Sequence, residues 1–167
     1  MIALKNVLVA TDFSEPSSRA LEYGRALART FNASLHVVHV IDNVLLQGMA
    51  GGVVPVNYGD LLGELEQAAR RQLEATVAED DRRELGAKPV LLTFTDPAHG
   101  IVTYATKEKI DLIVMGTHGR GVWSHLLMGS VAEKVVRMAP CPVLTVRHPE
   151  REFVTPDALQ LVERAGK

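Results

Sequence analysis

Apolar residues gather in five short runs along the chain: 7–10 (VLVA), 34–41 (SLHVVHVI), 89–95 (PVLLTFT), 110–115 (IDLIVM) and Val143–Val146 (VLTV). Runs of this length, apolar with little alternation, predict strands buried on both faces. Between them the apolar period lengthens. Ala20, Leu21, Gly24, Leu27 and Ala28 recur at helical spacing, as do Leu61, Leu62, Leu65, Ala69, Leu73 and Val77 within a charged helix predicted over 60–85. Ile101, Val102, Tyr104 and Ala105 mark another helix. Residues 131–138 form a last one, with Glu133, Lys134 and Arg137 among apolar positions. Strands alternating with helices predict an α/β domain, a parallel sheet covered by helices on both faces.

The punctuation between these elements agrees. Ser14 or Ser17 can cap the first helix, Pro16 fits its first turn and Asn32 closes it. Asp96 and Pro97 open a later helix as cap and first residue, Gly86 ends the helix over 60–85, and Pro140 and Pro142 stop the last one. The run Glu79-Asp80-Asp81-Arg82-Arg83-Glu84 reads as a solvated face. Residues 42–59, with Gly48, Gly51, Gly52, Pro55 and Gly59, make a long connection of the kind that is either a functional lid or disordered. Beyond Arg147, Thr155-Pro156-Asp157 is a good helix start. Residues 149–167 are therefore expected to be a helical extension of a domain spanning 1–148.

Composition narrows the class. A chain of 167 residues, 47% apolar and 23% charged, can bury a core as a single domain. A net charge of -2 leaves no basic footprint for nucleic acid. No apolar run is long enough to cross a membrane, and the first six residues lead into a strand without a signal peptide, so a cytoplasmic location is expected. Cys141 is the only cysteine, which excludes an internal disulfide. His36 and His39 stand at an odd spacing on one strand, face opposite sides and cannot share a metal. Both are expected to be half-buried structural histidines, and His99 a surface residue.

The most specific spacing belongs to Gly116, Gly119, Gly129 and Ser130, a G-x2-G-x9-G-S pattern set between a strand and a helix. Glycines let a backbone turn sharply and approach a ligand closely, and a helix start offers unpaired N–H groups to phosphate. Ser130 can cap that helix or bond a phosphate oxygen. Two such turns can grip one polyphosphate. Asp12 follows the carboxyl end of the first strand, where open α/β sheets bind ligands. On the residues alone it reads either as a turn or helix-capping aspartate or as a ligand contact.

With its flanks, DLIVM before it and SVAE and CPV after it, the glycine pattern resembles the ATP-binding signature of the universal stress protein family, over about residues 6–147. The resemblance implies a doubly wound, Rossmann-like (adenine nucleotide alpha hydrolase-like) domain with five parallel strands in the order 3-2-1-4-5. Its switch point would lie between the first and fourth strands. The implied ligand is ATP, or AMP or ADP, with Mg²⁺. Gly116, Thr117, His118, Gly119, Gly129 and Ser130 would hold the phosphates, flanked by Met115 and Val131, with Arg120 a further cation on the same loop. Ala10, Thr11, Asp12 and the backbone of Val40 would hold the nucleoside. His118 and Arg120 read equally as exposed loop residues.

The resemblance also implies a homodimer paired through Val143–Val146 and a nucleotide-dependent regulatory role in stress response. A slow ATPase or autophosphorylating enzyme is the alternative, with Thr117, Ser124 and Ser130 as candidate hydroxyls. No Gly-Lys-Ser/Thr loop is present to run fast phosphoryl transfer. A nucleotide-free dimeric interaction protein is the third reading.

Overall fold

The computed structural model describes residues 2–43, 58–117 and 129–147. Expectations for a lid within 42–59, for His118, Gly119, Arg120 and Ser124, and for a helical extension over 149–167 fall outside these residues, in whole or in the part that would decide them. Five strands are described: β1 (Asn6–Ala10), β2 (Ser34–Asp42), β3 (Lys88–Phe94), β4 (Leu112–Gly116) and β5 (Val143–Val146). All neighbours run parallel, in the order β3-β2-β1-β4-β5. The helices are α1 (Glu15–Phe31), α2 (Tyr58–Thr76), α3 (Glu79–Leu85), α4 (Pro97–Lys107) and α5 (Ser130–Met138).

Side chains leave a strand on alternate faces, and the core divides accordingly. Val7, Val9, Leu35 and Val37 pack with Ala20, Leu21, Tyr23 and Ala28 of α1 and with Leu73 and Leu85 of α2 and α3. Leu8, Ala10 and Val38 pack on the other face with Ala98, Ile101 and Ala105 of α4 and Ala132 and Val135 of α5. The helix after β1 thus lies on one face and the helix after β4 on the other. The two strands are neighbours, so the chain parts between them at the carboxyl edge of the sheet. Pro89 is accommodated because β3 is an edge strand.

Helix α1 comes close to the sheet. A methyl group at Gly24 would lie 2.2 Å from Cγ2 of Val9, so only a hydrogen fits. Asn32 ends α1 in the left-handed region (φ 53°), and Asp96 caps α4 by accepting from Ala98 N at 3.0 Å, as the sequence predicts.

Three expectations are corrected. The helix predicted over 60–85 is two helices, α2 and α3, parted at Val77 and Ala78. Val77 turns inward to be 4% exposed, and Asp81 reaches back to Ala78 N at 3.3 Å to start α3. The charged run over 79–84 is not wholly a solvated face: Asp81 is 2% exposed. It accepts from Arg25 Nε at 2.7 Å, and Arg29 stands 3.6 Å away, so it clamps α3 to α1. His36 and His39 do face opposite sides, yet His36 is fully buried rather than half-buried.

The His36 Nδ1 lies 2.9 Å from the hydroxyl of Tyr104 on α4, and its Nε2 has no hydrogen-bond partner among the described residues. Burial holds its pKa below the ordinary 6.5, Lys88 on β3 adds to this, and Glu108 after α4 opposes it. The Tyr104 hydroxyl, pushed up to about 12 mainly by its burial, stays protonated. Because the folded pKa is the lower one, the unfolded chain binds more protons in the window below 6.5. Stability should be flat above that value and fall as the pH drops through the window, by at most about 1.4 kcal/mol per pH unit from this residue. Urea unfolding at about pH 7.5 and about pH 5.5 checks it: His36→Gln, which hydrogen-bonds without titrating, should lose less stability between the two.

Candidate functional site

The site is built where β1 and β4 end side by side, with Ala10 opposite Met115 in the register. Ala10 and Met115 are 8% and 5% exposed, so little more than their main chain reaches the edge. Past Ala10 the chain makes a tight turn into α1. Thr11 N donates to Val38 O (2.9 Å), and the Thr11 carbonyl accepts from Nδ1 of His39 (2.8 Å). A carbonyl can only accept, so the proton of that imidazole sits on Nδ1. Phe13 adopts a left-handed φ of 65°, and its ring lies against His39 with centroids 4.3 Å apart.

A buried chain of hydroxyls locks the turn. Ser17 Oγ donates its one proton to Ser14 O (2.9 Å), so Thr11 Oγ1 must be the donor in its 3.1 Å contact with Ser17 Oγ. Thr11 Oγ1 in turn accepts from Phe13 N (3.0 Å). Asp12 Oδ1 accepts from both Ser14 N (3.1 Å) and Ser14 Oγ (2.5 Å). The turn-aspartate reading of Asp12 is therefore realised. Ser14 stands at the cap position of α1, but its hydroxyl serves Asp12 rather than the helix.

On the β4 side, Gly116 ends the strand beneath the first turn of α1. A methyl group there would lie 3.0 Å from Pro16 Cβ and 3.1 Å from its carbonyl carbon. The close neighbour that requires this glycine is thus α1. Thr117 is buried, donates its N–H to Val146 O (2.9 Å), and accepts from Gly129 N (2.6 Å). The end of β4 and the start of α5 are joined by that bond. Gly129 is the N-cap residue of α5 and Ser130 its first helical residue, exposed and without a capping bond. Ser130 therefore does not cap the helix, one of the two roles open to it in sequence. Val131 is half-buried against the α4–α5 core. Val40 lies beside the end of β1, two strands from β4, with its side chain half-buried on the α4 face.

The helix start of α5 carries Glu133 in its first turn, paired to Arg137 at 2.8 Å. Lys134 bonds Asp96 at 2.8 Å, and this holds the Asp96 carboxyl below its usual range while tying α5 to the cap of α4. Among the described residues no three His, Cys, Asp or Glu side chains converge as metal ligands.

The universal stress protein family model matches residues 3–147. The chain belongs to that family. A universal stress protein of Thermus aquaticus is 40% identical over 151 residues, covering 86% of this chain and 98% of that protein. Universal stress protein MJ0531 of Methanocaldococcus jannaschii is 35% identical over 149 residues, covering 89% and 85%. Among solved structures, that of MJ0577 superposes with a TM-score of 0.73 at 27% identity, over 90% of this chain and all of its own. Two further universal stress proteins were solved with adenine nucleotides. One, in complex with cAMP, has a TM-score of 0.53 at 26% identity over 87% of this chain and 99% of its own. The other, from Archaeoglobus fulgidus with dAMP, has a TM-score of 0.54 at 25% identity over 87% and 99%.

The family's fold and the sheet order agree with what the sequence predicts. The contact that sequence reasoning missed is His39 on Thr11, because nothing in the spacing of a strand reveals which carbonyl its side chain will meet. The Gly116 geometry makes a sharp expectation. Gly116→Ala should destabilise the protein by about 1–3 kcal/mol, since Pro16 backbone must shift to admit the methyl. Denaturant midpoints and hydrogen exchange in α1 measure it, and an unchanged midpoint would show that α1 gives way freely.

Proposed function

We propose that this universal stress protein binds an adenine nucleotide at the parting of β1 and β4 and acts as a nucleotide-dependent regulatory module in the cytoplasm. Gly129 N–H to Thr117 O at 2.6 Å is the observation that carries the reading. It brings the end of β4 and the start of α5 together, which is the arrangement a phosphate cradle needs. In this reading Gly116, Thr117, His118, Gly119, Gly129 and Ser130 hold the phosphates of ATP, or of AMP or ADP, with Arg120 beside them and Met115 and Val131 flanking. Asp12, Ala10, Thr11 and the Val40 main chain line the nucleoside. The exposed hydroxyl of Ser130, unused by the helix, is available to a phosphate oxygen. Mg²⁺ would be carried by the phosphates and water, a mode that needs few protein carboxylates. The two relatives solved with cAMP and dAMP support the ligand class.

Gly129 gives a clean test. Its φ of -73° and ψ of 155° are open to any residue, so a glycine there is not required by conformation. Gly129→Ala should cost at most about 1 kcal/mol of stability as a poorer cap. Its effect on nucleotide should be larger, because the methyl would stand where phosphate approaches. Calorimetric titration with ATP and Mg²⁺ should show binding to the unaltered protein and affinity lowered about tenfold or more in the variant. No binding to the unaltered protein sinks the proposal.

Dimerisation through β5 is part of the same reading. Pro142 O and Val146 O accept from Ile113 N and Thr117 N, so these groups face inward. Alternation then points the N–H groups of Val143 and Thr145 outward from the sheet edge. Thr145→Pro removes one outward donor and leaves the bonds to β4. Light scattering should show dimers for the parent and monomers for the variant; a persisting dimer rules out pairing at this edge.

A further inference from the structure

We propose that His39 is a positioning residue for nucleotide binding, one that sets the orientation of Asp12 through the Thr11 carbonyl. The assignment rests on the reading of the turn into α1 as the nucleoside wall. Thr11 is held to β2 through both of its main-chain polar groups: N–H by Val38 O at 2.9 Å, and C=O by His39 Nδ1 at 2.8 Å. A peptide unit is planar, so fixing the Thr11 oxygen fixes the plane from which Asp12 departs. One residue on, Phe13 sits at φ 65°, a conformation that a non-glycine residue keeps only when its surroundings impose it. The same imidazole supplies part of that constraint, with the Phe13 ring tilted 34° against it at 4.3 Å.

His39 also precedes Val40 on β2. One side chain therefore couples the two segments that would meet the nucleoside, the Thr11–Asp12 turn and the end of β2. The Asp12 carboxylate is held to Ser14 at the start of α1 by two bonds, so its place depends on the turn between Thr11 and Ser14 keeping its shape. Releasing the Thr11 carbonyl removes one hold on that turn and loosens the frame that presents the carboxylate. The histidine touches the turn and acts on ligand only through it.

Three forms of the protein separate this role from simple support of the fold. His39→Phe keeps an aromatic ring beside Phe13 and loses the donor. His39→Asn loses the ring but can place its amide N–H near the position of Nδ1. Titration with ATP and Mg²⁺ should show affinity about tenfold weaker for His39→Phe and restored to within about threefold by His39→Asn, the scale of one hydrogen bond. Melting temperatures measured alongside should not follow that order, since Asn sacrifices more packing than Phe. Parent-like affinity in His39→Phe overturns the assignment, as does His39→Asn binding no better than His39→Phe. Absence of binding to the parent overturns the nucleotide reading itself, and this assignment with it. Nitrogen–proton correlation spectra of the parent give a check without substitution: His39 must carry its proton on Nδ1, and a proton on Nε2 alone would end the proposal.

Discussion

The close seating of α1 on the middle of the sheet is the contact on which the rest of the molecule depends. It is made at two glycines. Gly24 lets the helix approach Val9 of β1, and Gly116 lets its first turn rest on the end of β4. Between those points the helix axis has little freedom, because close-packed contacts do not stretch. The turn that feeds α1 is then short, and a short turn over a fixed span must adopt a particular shape. Phe13 in the left-handed region and the buried hydroxyl chain from Phe13 N through Thr11 and Ser17 to Ser14 O are how that shape is held.

The candidate site is a consequence of the same geometry. A sheet whose first crossover goes to one face and whose fourth goes to the other must open between β1 and β4. Among the described residues, what borders that opening is the turn at Thr11 and Asp12 on one side and the joined ends at Thr117 and Gly129 on the other. The side chains just beneath, Ala10 and Met115, belong to the core and give the opening a dry floor. Farther out, Lys134 pairs with Asp96 and Arg137 with Glu133.

Much of this was legible in the sequence, and the parts that were not share one physical cause. Unbroken apolar runs reveal strands because both faces of each strand demand burial, and the glycine pattern marks where β4 ends and α5 begins. The break between α2 and α3 has no proline or glycine to announce it. It comes from Val77 turning into the core and from Asp81 reaching back to Ala78. Asp81 looks solvated within EDDRRE because its principal partner, Arg25, is on another helix far away in the chain. The close approach of Pro16 to Gly116 is equally hidden from the spacing of the glycines. His39 reads as structural because the Thr11 carbonyl it meets is invisible to strand periodicity. Local patterns encode elements; pairings across the fold are written only in three dimensions.

The bond between Gly129 N and Thr117 O also has a mechanical consequence. It pins the entry and exit of residues 118–128 to each other, while Thr117 N is pinned to β5 and Gly129 O receives the first turn of α5 through Glu133 N. The end of β4, the edge strand β5 and the start of α5 thus meet at one backbone junction. A displacement of any one of these three elements is therefore felt at once by the other two.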